Sequence, residues 1–392
     1  MTLIPVSEAL GRLFALVPAP RVESVPLTQA LGRVLLRAVA AGRDQPPFRA
    51  SAMDGYAVPE ADPQPGATYQ VIGQSAAGQR WNGHLQHGQA VRILTGAPVP
   101  DGAHGVVIQE DVLAKGDGIT LLPGLGPGSN IRPAGGDFRQ GATMAAPLRL
   151  RPADIALAAA MGRQTLYVAR RPAVAIIATG DELVAPGVPP GPDQISASNS
   201  YGLHALLTAV GALPRLLPIA RDNLDALALA FDLGQDADLV LTIGGASVGD
   251  HDLVAQAAKA AGFDMAFHRV AIRPGKPLMA GRNGAQMLLG LPGNPVSAMV
   301  CGHVFLAPVI AAMQGLPAAP APRERLPLAV ALPANGNREH YLRATIGPEG
   351  VSPLPRQDSA LLSVLAQADG LIVQPAGDTG AGVGTLVDVI RL

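Results

Sequence analysis

The chain of 392 residues has a single cysteine, Cys301, so no disulfide can form within it. It also has no excess of basic charge: 29 Lys and Arg stand against 30 Asp and Glu, a net charge of -1, so any site for a polyanion must be local. A nucleic-acid partner is therefore not expected. Near Met1 no basic stretch precedes an apolar run, and the most apolar stretches, 153–161 and 295–313, are short, Ala-rich or interrupted by Gly302, His303 and Pro308. They read as buried helices, and the protein as soluble and cytoplasmic with no membrane partner. Lysine is nearly missing, occurring only at 115, 259 and 276, so a lysine inside a glycine-rich loop stands out.

Apolar residues are abundant, at 48%, and 46 glycines with 37 prolines exceed a fifth of the chain without a short repeat. That composition suits buried cores joined by structured turns whose backbone builds sites. The length suggests several domains. An amphipathic helix starts near Ser7 and stops before Pro18. Residues 45–147 carry short apolar runs separated by Gly, Pro, Asn and Asp, the texture of a β-rich domain. Pro152 and Asp154 suit the first turn of a helix ending at Gly162. From 172 to 318, strand-like and helix-like segments alternate, which predicts a doubly wound α/β domain. Residues 319–392 return to short strands, a small C-terminal β domain, while 1–44 with 148–171 form an N-terminal helix and a connecting domain.

Three loops follow predicted strand ends in the α/β region, where open parallel sheets hold ligands. They are Thr179-Gly180-Asp181-Glu182-Leu183, Gly244-Gly245-Ala246-Ser247-Val248-Gly249-Asp250-His251-Asp252 and Leu291-Pro292-Gly293-Asn294-Pro295-Val296-Ser297. Glycines let backbone amides approach a phosphate, and carboxylates beside such a cradle can hold Mg²⁺ together with substrate oxygens. Each loop alone reads equally well as a tight turn with a capping acid. Lys276, in Arg273-Pro274-Gly275-Lys276-Pro277, is a candidate for phosphate or oxyanion contact; Arg269 and Arg273 add local positive charge or sit on a solvated strand edge. In the β-rich region Ser51-Ala52-Met53-Asp54-Gly55-Tyr56-Ala57, Leu94-Thr95-Gly96-Ala97 and Ile131-Arg132-Pro133-Ala134-Gly135-Gly136-Asp137 are polar Gly/Pro loops. Gly245-x-Ser247-x-Gly249 also matches a hydrolase nucleophile elbow, with His251, His268, His303 and His340 downstream, but the acids after it fit an anion and metal loop better. His84 and His87 lack cysteine companions for a zinc site.

The ordered set of these loops, with Ala178-Thr179-Gly180-Asp181-Glu182-Leu183, Pro274-Gly275-Lys276-Pro277 and Leu291-Pro292-Gly293-Asn294-Pro295, resembles the molybdopterin molybdenumtransferases and the E domain of gephyrin across nearly the whole chain. The resemblance implies a homodimer of four-domain subunits that inserts molybdenum from molybdate into adenylylated molybdopterin, releasing AMP, with Mg²⁺ as cofactor. It implies catalytic roles for Asp54, Thr95, Glu182, Asp222, Asp252 and Lys276. It implies substrate binding by Asp137, Thr179, Gly180, Asp181, Gly244, Gly245, Ser247, Gly249, Arg269, Arg273, Pro292, Gly293, Asn294 and Ser297. Glu182 and Asp252 would be the metal ligands, and Asp54, Thr95 and Asp137 would reach a cleft across the dimer interface. Molybdopterin adenylyltransferase and acceptor apo-molybdoenzymes are the implied partners. Arg273 departs from the family, which often has lysine there; Arg keeps the charge but offers a planar fork of donors. Competing readings are an adenylyltransferase sharing the α/β domain, a pterin carrier or scaffold on the same fold, and an acyl hydrolase using Ser247.

Overall fold

The computed structural model describes residues 3–245 and 253–392; Ser247, Gly249, Asp250, His251 and Asp252 lie outside them. The α/β unit is built on a six-stranded sheet in the order Leu213–Leu216, Ala173–Ala178, Leu239–Ile243, Gln286–Leu291, Pro277–Asn283, Asp264–Arg269. Its central strands are apolar at nearly every position, as strands covered on both faces must be. Alternate residues divide between two cores. Val174, Ile176, Leu239, Leu241 and Leu289 pack with the helices Val6–Leu16, Ser198–Ala209 and Pro295–Cys301 on one face. Ile177, Val240 and Leu288 pack with Leu224–Leu233 and Leu253–Ala260 on the other. The sheet is thus doubly wound, as its alternating elements predict.

The sheet is not wholly parallel. Pro277–Asn283 runs antiparallel to both neighbours, joined to Gln286–Leu291 by a tight hairpin. Its Pro, Gly and Arg hide the strand pattern from a reading of periodicity. The apolar stretch 265–272 is not one strand: Asp264–Arg269 stays in this sheet, whereas Ile272–Arg273 pairs in parallel with Glu339–Gly347 of the C-terminal β domain. That pairing fastens the C-terminal domain to the α/β unit beside the Lys276 turn.

Helix ends follow local chemistry. The Asn223 side chain accepts a hydrogen bond from the Ala226 amide at 2.9 Å and starts Leu224–Leu233. Arg151 and Asp154 form a reciprocal cap at Pro152–Ala160. The segment 295–313 is one long helix with a π-type stretch at Gly302–Leu306. By length and apolarity it could cross a membrane, yet 78% of its most apolar window is buried in the core. The N-terminal helix Val6–Leu16 buries Ala9, Leu10 and Leu13 in the α/β core. Four short strands of the connecting segment (Val22–Pro26, Thr165–Ala169, Val34–Leu35, Leu148–Arg149) form a separate sheet with its own core around Leu35, Leu150 and Leu166. The β-rich unit has a six-stranded sheet in the order Gly105–Ile108, Gly55–Val58, Gln89–Ile93, Thr68–Ser75, Gly118–Leu121, Val112–Lys115.

Candidate active site

The loops that follow Ala173–Ala178, Leu239–Ile243 and Gln286–Leu291 meet at the carboxyl ends of three adjacent parallel strands, and a cleft of about 1070 Å³ opens there. Backbone contact holds the loops together. The Gly244 amide donates to the Leu291 carbonyl at 3.1 Å and the Thr179 amide to the Ile243 carbonyl at 3.1 Å. Gly244 has φ +91°, and a Cβ there would lie 2.7 Å from the Thr179 oxygen, so only glycine permits this approach.

Thr179 is buried, and its Oγ1 donates to Asp222 Oδ1 at 2.7 Å. Asp222 arrives on the loop after Leu213–Leu216, which the Ala220 amide ties to the Ala178 carbonyl at 2.9 Å. Glu182 faces the same cleft and is exposed. Asp181 does not line it: its Oδ1 accepts from the Asp222 amide at 3.4 Å and lies 3.8 Å from Arg221. Among the described residues no group of three His, Cys, Asp or Glu could hold a metal by itself. Glu182 and Asp222, two of the three carboxylate residues on the described cleft lining, nevertheless match what Mg²⁺ takes from a protein when substrate oxygens and waters complete its shell.

The cations come from another direction. Lys276 is half-buried in a turn closed by the Val270 amide donating to the Lys276 carbonyl at 3.1 Å. Gly275 has φ +113° and packs so closely on Cys301 that a Cβ would stand 2.4 Å from Sγ. Arg273 and Arg338 complete three cations on the cleft. His340 reports their field, since burial first, then Arg273, Arg343 and Arg338, pull its pKa down to about 4. The imidazole is therefore neutral near pH 7. Burial pushes the Cys301 thiol up, so it is no thiolate nucleophile.

The C-terminal β domain supplies a wall that the sequence reading missed. Arg338, Gln357, Asp358 and Ser359 line the cleft. Arg343, with 1% exposure, anchors that wall: its main-chain amide and Nε both donate to Gln357 Oε1, at 3.0 and 3.1 Å, and its Nη1 to the Asp358 carbonyl at 2.7 Å. The Val296 amide donates to the Ser359 carbonyl at 3.0 Å, and Asn294 Nδ2 to Ser359 Oγ at 3.3 Å. Asn199 Nδ2 donates to the Gly293 carbonyl at 2.7 Å and fixes the Pro292–Asn294 turn. The pairing of Ile272–Arg273 with Glu339–His340 and the hydrogen bonds of Ser359 to Asn294 and Val296 bring this wall to the cleft, and no local sequence signal carries these long-range contacts.

Of the sequence candidates, Thr179, Gly180, Glu182, Asp222, Gly244, Gly245, Arg273, Lys276, Pro292, Gly293, Asn294 and Ser297 come together here. Arg269 does not; it lines a separate groove with Arg12, Lys259 and His268. Ser247, Gly249 and Asp252 lie outside the described residues. Asp54, Thr95 and Asp137 stand on the β-rich domain and do not line the cleft. Asp54 Oδ1 accepts from the Thr95 amide at 2.6 Å and from Thr95 Oγ1 at 2.8 Å, which holds its carboxyl below the usual carboxylate range. Asp137 is exposed on a turn, its amide donating to the Gln45 carbonyl at 2.9 Å.

A doubly wound α/β unit with a glycine-lined cleft at its strand ends, walled by a C-terminal β domain and preceded by a β-rich domain, defines a class of multidomain proteins with an anion-binding cleft. Its regions match the family models described as MoeA N-terminal region (domain I and II) over residues 4–162, probable molybdopterin binding domain over 175–312, and MoeA C-terminal region (domain IV) over 325–392. A molybdopterin molybdenumtransferase of Nostoc sp. is 36% identical over 99% of this chain and 93% of its own length. One from Bacillus subtilis is 31% identical over 100% and 94%. The solved molybdopterin biosynthesis moeA protein of Pyrococcus horikoshii superposes with a TM-score of 0.85 at 27% identity, covering all of both chains. The chain belongs to the molybdopterin molybdenumtransferase family.

Proposed function

We propose that this chain inserts molybdenum, supplied as molybdate, into adenylylated molybdopterin and releases AMP. The observation that carries the reading is the cleft itself, where Arg273, Lys276 and Arg338 face the same space as Glu182 and Asp222. Such a site holds an anionic substrate by charge and hydrogen bonds while its carboxylates recruit a cation. Lys276 and the two arginines bind the phosphoanhydride and the molybdate oxyanion. The amides of Gly245, Gly293 and Asn294 orient the phosphates, and the Thr179 hydroxyl holds the Asp222 carboxylate in place. Glu182 and Asp252 would hold Mg²⁺, with Asp222 lining the same cleft as Glu182, and the ion would neutralise developing charge on the phosphate oxygens. None of the described cleft residues is an activated nucleophile, so the rate comes from positioning and electrostatics.

The cleft as one chain forms it lacks Asp54, Thr95 and Asp137. We infer a homodimer in which the β-rich domain of the second subunit carries them to the cleft. Molybdopterin adenylyltransferase then supplies the substrate and apo-molybdoenzymes take the product, in the cytoplasm. The test is AMP release from adenylylated molybdopterin with Mg²⁺, with and without molybdate. Molybdate-dependent release, with a product that activates an apo-molybdoenzyme, supports insertion. Tight binding without turnover would make the chain a carrier and overturn the reading.

A further inference from the structure

Among the apolar residues that line the cleft, one pair stands out. Leu183–Val184 and Ile195–Ser196 form a short parallel ribbon in which Leu183 stands directly beside Ile195, and both side chains belong to the cleft lining. The Ile195 amide donates to the Glu182 carbonyl at 2.8 Å and the Ala197 amide to the Val184 carbonyl at 2.9 Å, so the ribbon is closed at both ends. Cross-strand partners share a face, so the two apolar side chains form one continuous patch. Ile195 is 58% exposed and contributes to none of the hydrophobic cores; it is the one large apolar side chain that the described cleft lining leaves exposed.

The ribbon is also held to the anion-binding parts. Its first strand follows directly on Thr179–Glu182, and its second leads into the helix whose Asn199 grips the Gly293 carbonyl. The connection over 185–194 contains Pro186, Pro189, Pro190 and Pro192, which limit its conformations, and is cross-linked by the Gly191 amide donating to Gln194 Oε1 at 3.1 Å. An apolar pair, half-buried at Leu183 and exposed at Ile195, at a fixed place beside a phosphate cradle suits a flat ring whose charged tail occupies the cradle.

The geometry points to the Leu183–Ile195 ribbon as the platform for the planar heteroaromatic ring of the substrate, with Ile195 setting ring affinity. This rests on the function proposed above and names the subsite that reads the ring. The ring's source is either the pterin or the adenine, and the two are separated by binding a free pterin, AMP and inorganic pyrophosphate in turn to the full chain and to Ile195→Asn and Ile195→Phe variants. Ile195→Asn should weaken one ring ligand by about tenfold, the scale of one lost apolar ring contact, and leave pyrophosphate unchanged. Ile195→Phe should retain or tighten that ligand. Whichever ligand responds identifies the ring. Equal affinities in the parent and the Asn variant, or equal losses for ring ligands and pyrophosphate, would overturn the platform while leaving the proposed reaction standing. A parent chain that binds neither ring ligand would overturn both.

Discussion

His340 shows how a single side chain registers the site's field. It is buried beside three guanidinium groups, and its pKa falls to about 4 from an unfolded value of about 6.5. The unfolded chain therefore takes up the proton first on acidification. The contribution of neutral His340 to stability is fully present above about pH 6.5 and is lost as the pH falls towards 4. Thermal unfolding followed from pH 7.5 to 4.5 should show a falling midpoint that flattens in His340→Gln. An unchanged slope in the variant would mean that other groups carry the acid sensitivity. The same field explains why lysine scarcity was an informative sequence signal: Lys276 is one of three lysines and lies on the cleft. Arg338 and Arg343 gave no such signal, because among many arginines nothing local distinguishes one beside a site.

At the scale of elements, motifs carried by loops after strands were readable because glycine, proline and carboxylate together leave few alternatives. Thr179–Glu182, Gly244–Gly245 and Pro292–Asn294 all meet at the cleft as their strand-end positions imply. The wall over 354–360 was not readable, since its place depends on the distant pairing of Ile272–Arg273 with Glu339–His340. Arg343 transmits that pairing to the loop through Gln357 and the Asp358 carbonyl. Arg343→Ala removes the side-chain donors to Gln357 Oε1 and the Asp358 carbonyl, leaving Gln357 only the main-chain amide of residue 343, at a cost of about 1–3 kcal/mol. Urea unfolding should show that loss, and pyrophosphate affinity should fall with it as Asp358 and Ser359 leave their places. Arg343→Lys should restore part of each. A variant with parent stability would show that Arg343 is not the anchor.

At the scale of the whole molecule, the division of labour is visible in what each unit lacks. The α/β and C-terminal units hold the anion cleft, while the β-rich unit holds the Asp54–Thr95 pair away from it, with an exposed carboxylate kept ionised and no buried role. The family resemblance in the sequence already implied that these two sets belong to one reaction. Composition and periodicity could separate the units but not bring them together, since contacts between distant parts of a sequence leave no local pattern.

The central claim is that the cleft of one subunit and the Asp54–Thr95 pair of the other form one molybdenum-insertion site. It is tested by mixing two inactive variants, Asp54→Asn and Glu182→Gln, under conditions that exchange subunits, and measuring molybdate-dependent activation of an apo-molybdoenzyme. In random mixed dimers one site of two regains both an intact pair and an intact cleft, so activity should return to about a quarter of the parent level. If the mixture stays as inactive as its components while mixed dimers are shown to form, the shared site is contradicted.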